Sequence, residues 1–281
     1  MKVLVTGATG YIGDYVIKEL LKNNHEVIAT SANKIKAENK EWFNKVSYIG
    51  FSIDEISKHE NLFTYFNSPD LMIHLAWSGL PNYKDFSHID KNLFPQFLFI
   101  QNLIENGLND LLVTGTCFEY GMQSGALKED MIALPENPYA IAKDSLRKFI
   151  EAFQKKIQFN FKWVRLFYMY GKGQNAKSLI SMLNQAVLNK ETSFKMSGGE
   201  QLRDYLKINE VAEILVKIAL QTEVQGIINC CSGKPVSVRG LVEQYLVENN
   251  LNIQLQLGHY PYPDYEPMAF WGDNEKLKKI I

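Results

Sequence analysis

The chain has 281 residues, 46% of them hydrophobic, and a formal net charge of −1. That length lets it bury roughly 75% of the surface its unfolded form would expose. The balanced charge offers no basic face for nucleic acid, and no apolar run approaches the about 20 residues needed to span a bilayer.

Lys2 to Thr6 reads as a strand, Gly7, Gly10 and Gly13 recur at every third position, and Tyr11 to Leu21 carries apolar residues at helical spacing. Strand, glycine turn and helix in that order predict a dinucleotide site. One glycine takes a conformation a Cβ would forbid, one lets the backbone approach a pyrophosphate, and one lets helix pack on strand. The helix N-terminus then aims its unpaired N–H groups at the phosphates. The first strand starts at residue 2, so no signal peptide and a cytoplasmic location are expected.

His25 to Thr30 is a second strand. Its tip reads Thr30, Ser31, Ala32, Asn33, Lys34, with Lys36 beyond, and carries two cations and no acid. An acid there would bond the free ribose hydroxyls of NAD, whereas a lysine attracts a 2′-phosphate, so the tip favours NADP(H) over NAD(H). The plainer reading is that both lysines lie on a solvated helix. Val46 to Gly50 predicts a third strand, Asp54 to Phe66 an amphipathic helix, and Leu71 to Leu75 a buried parallel strand. Tyr83 to Asn106 reads as a helix that Pro95 kinks or restarts, and Asp110 to Thr114 as a fifth strand. Alternating strands and helices predict an α/β fold with a Rossmann-type doubly wound parallel sheet.

Past the fifth strand comes Thr114-Gly115-Thr116-Cys117-Phe118-Glu119-Tyr120-Gly121, then Asn137-Pro138-Tyr139 and, four residues on, Lys143. Asn137 suits an N-cap and Pro138 the first helical position, which puts Tyr139 and Lys143 on one helix face. A phenol needs a cation nearby to exchange protons at neutral pH, and Lys143 is placed to supply it. Thr116 is a candidate hydrogen-bonding partner of a reacting oxygen, or a hydroxyl capping its own backbone. Ala176 to Asn189 and Glu210 to Gln221 read as helices, and Gly226 to Cys231 as a strand rejoining the sheet. Cys117, Cys230 and Cys231 read as buried thiols, and neither they nor the five histidines have metal-ligand spacing, so no metal is expected.

The glycine turn, Thr116, Tyr139 and Lys143 together resemble the extended short-chain dehydrogenases/reductases, the group of nucleotide-sugar epimerases, dehydratases and reductases. His74-Leu75-Ala76, Asn92, Val164 to Phe167 with Tyr170-Gly171, Arg203-Asp204-Tyr205 and Asn229 to Val238 extend the likeness over nearly the whole chain. Within that family TGTCFEYG, LFYMYGKGQN and YPYPDYEPMAFWG look like the bacterial dTDP-4-keto-6-deoxyglucose reductases of O-antigen synthesis. The resemblance implies a catalytic set of Thr116, Tyr139 and Lys143. It implies cofactor contacts at Gly7, Thr9, Gly10, Tyr11, Ile12, Gly13, Thr30, Ser31, Asn33 and Lys34, and again at Leu75, Ala76, Trp77, Asn92, Phe167 and Met169 beside Tyr139 and Lys143. Substrate contacts fall to Ser78, Cys117, Tyr168 and Arg203 together with Thr116 and Tyr139, Arg203 meeting the pyrophosphate or else pairing with a neighbouring acid. The dinucleotide domain is expected over 1–167, rejoined by about 204–231, with a substrate lobe from 168–203 and 232–281.

Departures from the family narrow the chemistry. Dehydratases place Asp and Glu after the catalytic Thr, where this chain has Cys117 and Phe118, and a phenyl ring moves no proton. Glu119 is expected to pair structurally. What remains is NADPH-dependent reduction of a nucleotide-linked 4-keto-6-deoxyhexose, with an NAD-dependent C4 epimerase as the alternative and a non-catalytic NADP-sensing protein as a rival of another class. A homodimer is expected through the helices carrying Asn92 and Lys143, with Phe94, Phe97, Phe149 and Phe153 either at that interface or in the core.

Overall fold

The computed structural model describes residues 1–281, apart from the side chains of Asp54, Ser57 and Lys58. Its first half runs β1 (Lys2–Thr6), α1 (Tyr11–Lys22), β2 (Glu26–Ser31), α2 (Lys34–Glu38), β3 (Ser47–Gly50), α3 (Leu62–Tyr65), β4 (Leu71–His74), α4 (Phe94–Glu105) and β5 (Asp110–Thr116). Next come β6 (Gly125–Leu127), α5 (Pro138–Gln154), β7 (Asn160–Leu166), β8 (Tyr168–Tyr170), α6 (Leu179–Leu188), β9 (Ser193–Lys195), β10 (Leu202–Lys207) and α7 (Ile208–Leu220). The chain ends with β11 (Gly226–Cys230), β12 (Pro235–Ser237), α8 (Val238–Glu248), β13 (Gln254–Gln256) and β14 (Phe270–Gly272).

Seven strands form one parallel sheet in the order β11-β7-β5-β4-β1-β2-β3. The order reverses beside β1, which opens a crevice at the carboxyl ends of the strands. Successive residues of a strand face opposite sides, so Val3 and Val5 pack with Val16, Ile17 and Leu215 of α1 and α7, while Leu4 packs with Phe99, Ile100 and Leu146 of α4 and α5. Both faces are covered, which is why these strands read as continuous apolar runs. β11 does rejoin the sheet, Ile228 pairing with Val164. A third apolar cluster, built on Leu183, Phe194 and Val242, holds α6, α8 and β9 together apart from the sheet.

Two expected helices are different in the structure. The Asp54 to Phe66 segment is a 3-10 stretch, Ile53–Lys58, followed by the single turn of α3. Asn61 breaks it, because its side chain accepts the Thr64 N–H as a fresh N-cap while Asn102 on α4 holds the Glu60 carbonyl and Leu62 N–H. The Tyr83 to Asn106 segment becomes helical only at His88, with a π-helical stretch over His88–Leu93 and Pro95 in the first turn of α4. Residues 79–87 form a loop instead. Of the four phenylalanines on the α4/α5 face, Phe153 is buried, Phe97 and Phe149 pack against the core, and Phe94 is exposed.

Candidate active site

A cavity of about 390 Å³ opens at the crevice beside β1. Gly7 sits there at φ +65, and a Cβ on it would lie 2.9 Å from the Ala76 nitrogen. A Cβ on Gly13 would lie 2.4 Å from the Gly7 carbonyl. The turn is therefore closed to side chains, and Gly10 caps α1 with no side-chain hydrogen bond, leaving the helix N-terminus to a ligand. The Thr30 hydroxyl lines the cavity, is buried and finds no hydrogen-bond partner among the described residues. An open helix N-terminus, a glycine cradle and an orphaned hydroxyl at the tip of β2 fit a dinucleotide.

Among the expected cofactor contacts, Gly7, Thr9, Gly10, Thr30, Ser31, Leu75, Ala76, Trp77 and Asn92 line this cavity, and so does Ser78, which was assigned to substrate. Tyr11, Ile12, Gly13, Asn33, Lys34, Phe167 and Met169 are not among its walls. Asn33 is occupied as the N-cap of α2, accepting the Lys36 N–H, and Lys34 is exposed beside Glu38. Two helical positions separate the two roles, and Lys36 is the one that lines the cavity. Tyr11 faces Gly171 instead, and Phe167 packs with Cys117 and Phe270. Thr6, Ser52 and Lys91 also line the cavity, unforeseen. Lys91 adjoins Asn92, the only local signal that would have pointed to it.

Thr6 shows how the strand ends are shaped. Its hydroxyl oxygen accepts the Leu75 and Ala76 N–H groups at 3.1 and 3.2 Å, so its proton goes to His74 Nδ1 at 2.9 Å. His74 then carries its own proton on Nε2 and donates to Gln96 at 2.7 Å. Burial and the nearby Lys143 charge hold its pKa down at about 3, so it stays neutral.

Beyond the cavity, β5 delivers Thr116 and α5 delivers Tyr139 and Lys143. Asn137 does cap α5, accepting the Ala140 N–H at 2.9 Å, and all three side chains are buried. Glu119 fixes Thr116 from below. Its carboxylate accepts the Thr116 N–H at 2.9 Å, pairs with Arg165 Nε at 2.7 Å and takes the Trp163 indole N–H at 3.0 Å. It thus pairs structurally, as expected. Gly115 is required in this motif because a Cβ would lie 2.2 Å from that indole nitrogen.

Burial pushes the Tyr139 phenol well above its usual range, with Tyr83, Glu119 and Cys117 adding to the rise and the neighbouring Thr116 hydroxyl opposing it. Lys143 donates to the Thr114 carbonyl at 2.8 Å and lies 4.1 Å from the Trp77 ring centre. Burial brings its pKa down to about 7, partly offset by Glu119. The lift that Lys143 was expected to give Tyr139 ionisation is thus outweighed by desolvation of both groups. The arrangement brings a phenol, a hydroxyl and a titratable ammonium together, the phenol and the ammonium both against Trp77, a wall of the cavity.

On the far side of Tyr139 lies an aromatic enclosure. Tyr83 stands 5.5 Å from the Tyr139 ring and 5.0 Å from Phe118, which in turn contacts Tyr168 and Tyr265 at 6.4 Å. Arg203 lies behind it, buried over the Phe270 ring, with Glu266 accepting from its Nε and Nη2 at 3.2 and 2.9 Å. The acid paired with it is Glu266, from the distant tail; Asp204 instead takes the Ser232 and Gly233 N–H groups. The Tyr168 hydroxyl is buried without a hydrogen-bond partner among the described residues, and Cys117 is buried beside it.

The NAD dependent epimerase/dehydratase family matches this chain over residues 3–231. The chain is 31% identical over 273 residues to dTDP-6-deoxy-L-talose 4-dehydrogenase (NAD(+)) of Aggregatibacter actinomycetemcomitans, covering 97% of this chain and 99% of that one. It is 25% identical over 276 residues to dTDP-4-dehydro-6-deoxyglucose reductase of Escherichia coli, covering 91% and 84%. In fold it is similar to a UDP-N-acetylglucosamine 4-epimerase from Methanobrevibacter ruminantium, with a TM-score of 0.86 at 24% identity over 99% of this chain and 91% of that one. No helix among the described residues is long and apolar enough to cross a membrane. The chain is an enzyme of the NAD dependent epimerase/dehydratase family, the extended short-chain dehydrogenases/reductases.

Proposed function

We propose that this enzyme transfers hydride at C4 of a nucleotide-linked 6-deoxyhexose, in the direction of 4-keto reduction and with dTDP as the favoured nucleotide. The observation that carries the reading is the burial of Thr116, Tyr139 and Lys143, with Tyr139 and Lys143 against the cavity wall residue Trp77, while Glu119, the carboxylate in the motif, is committed to Arg165. A dehydratase needs a second acid/base pair, and Phe118 cannot be part of one. The names of the two relatives, a 4-dehydrogenase of a dTDP-6-deoxytalose and a reductase of a dTDP-4-dehydro-6-deoxyglucose, both describe redox chemistry at C4 of a dTDP-6-deoxyhexose.

When bound, the nicotinamide supplies the hydride to C4. Tyr139 gives its phenolic proton to the C4 oxygen as the carbonyl becomes a hydroxyl, and Thr116 donates a hydrogen bond that orients that oxygen. Lys143 supplies the positive field that favours the tyrosinate left behind. The cofactor is NADP(H) in this reading, since β2 ends in Ser31 with Lys36 at the cavity and no acid between them. Segments 168–203 and 232–281 supply the sugar-nucleotide lobe, and a homodimer forms over α4 and α5, where Phe94 and Leu98 are exposed.

The test is oxidation of NADPH, beside NADH, with dTDP-4-keto-6-deoxyglucose. Wild type consumes NADPH in proportion to sugar, and Tyr139→Phe lowers kcat by about 10²–10⁴ while binding the cofactor as before. An inert enzyme that releases NAD on denaturation overturns the reading in favour of C4 epimerisation.

A further inference from the structure

Trp77 follows β4 immediately after the Leu75-Ala76 turn that Thr6 holds, and it lines the dinucleotide cavity. Its ring meets the Tyr139 ring edge-on at 6.0 Å and carries the Lys143 ammonium at 4.1 Å from its centre. One indole thus touches both members of the Tyr/Lys pair. Its orientation is fixed from the other side. The indole N–H donates to His88 Nδ1 at 3.0 Å, which requires His88 to be neutral with its proton on Nε2, and that proton goes to the Asn82 carbonyl at 2.9 Å. His88 is fully buried, 5.3 Å from the Tyr139 ring, and the 79–87 loop before it accepts the Tyr139 N–H through the Tyr83 carbonyl.

Lys143 is 2% exposed, and among the described residues its one hydrogen bond is to a neutral carbonyl. Glu119 favours its charged form, yet that carboxylate is itself paired with Arg165 and offsets the desolvation only in part. Of the other titratable groups near it, His74 on β4 is neutral and Tyr139 on its own helix is held protonated by burial. Aromatic faces are a further source of stabilisation for a desolvated cation in this setting, and of the two indoles at hand Trp77, at 4.1 Å, is much nearer than Trp163, at 6.0 Å.

We propose that Trp77 is a positioning residue: its indole face, locked by His88, keeps the Lys143 ammonium charged and aligned with Tyr139 before the cofactor and sugar arrive. This rests on the reading that Lys143 serves hydride transfer as a cation. Its consequence is a set alkaline limit. As pH rises through the Lys143 titration the cation is lost, and without the indole face that loss occurs at lower pH.

The experiment measures NADPH affinity from pH 6 to 9 by nicotinamide fluorescence, which needs no turnover, for wild type, Trp77→Phe, Trp77→Leu and Lys143→Met. NADH replaces NADPH if it binds more tightly. Wild-type affinity falls across an alkaline limb that Lys143→Met lacks. Trp77→Leu moves that limb to lower pH by about one unit, the tenfold change expected when a desolvated cation loses its aromatic face. Trp77→Phe keeps a ring but loses the indole N–H and moves the limb by less. Should the leucine variant fail to fold, the phenylalanine variant still decides the matter. An unmoved limb in a folded variant, or no limb in wild type, overturns the proposal and leaves Trp77 as cavity wall. Failure of sugar turnover in wild type, with the limb shifts intact, sinks the assigned reaction and spares the role of Trp77.

Discussion

Replacing Glu119 by Gln tests the foundation of the Thr116 site. The carboxylate is fully buried and satisfies three donors at once: the Thr116 N–H, the Trp163 indole and Arg165 Nε. Glutamine keeps the shape and one acceptor oxygen but leaves the Arg165 guanidinium uncompensated, and its Nη1 already has no hydrogen-bond partner among the described residues. Removing one partner of a buried ion pair costs about 3–5 kcal/mol. Arg165 retains the Tyr120 ring at 4.3 Å, which argues for the lower end, about 3 kcal/mol. For a chain of this size that lowers Tm by roughly 5 °C. Thermal melts and urea titrations of Glu119→Gln, Arg165→Met and the double variant measure it. The double variant should recover more than about 1 kcal/mol of the summed losses, because it no longer buries a lone charge. Strict additivity, or a loss below about 1 kcal/mol in Glu119→Gln, would refute the view that this pair holds Thr116 in place.

Two further outcomes follow from local geometry. Gly13→Ala sets a methyl against the backbone of Gly7 and Ala8, at 2.4 and 3.0 Å, and should cost about 1–3 kcal/mol with at least a tenfold loss of NADPH affinity; unchanged melting and binding would contradict the close helix–strand contact. Asp14 is raised by partial burial but held below its usual 3.8 overall by hydrogen bonds from Lys40, Lys18 and Trp42. A carboxyl with a depressed folded-state pKa contributes stability above its unfolded value, and that contribution disappears as pH falls through the folded one. Asp14→Asn should therefore melt below wild type at pH 7 and converge with it well under pH 3.8, whereas a gap independent of pH would rule out the ionic origin.

The sheet was legible because its signals are local. β1, the glycine turn and α1 carry their period and their special conformations in consecutive residues, and Asn137-Pro138 announces the start of α5 in the same way. The break at Asn61 was not legible, since an Asn inside an apolar pattern becomes a cap only when Asn102, forty residues on, takes the flanking backbone groups. Lys34 and Lys36 look equivalent as letters. They separate only once Asn33 starts the helix and sends Lys34 toward Glu38. Glu266 lies 63 residues from Arg203, and no spacing rule connects them. The Trp77–Lys143–His88 contacts were hidden for the same reason, as they join a strand end, a helix and a loop that only the folded chain brings together.

The three cysteines have a practical meaning beyond packing. Cys117, Cys230 and Cys231 are all unpaired and buried, and burial, aided by Glu266 at the first and by Asp204 at the other two, drives each thiol far above its ordinary titration range. Only a thiolate attacks electrophilic reagents. Alkylation of the native enzyme at neutral pH is therefore expected to be slow, each thiol gaining reactivity as its own surroundings open. Cys230 ends an edge strand of the large sheet, whereas Cys117 lies beneath the aromatic enclosure next to Tyr139. The chain carries its own clock of local opening, with separate hands for the scaffold and for the site.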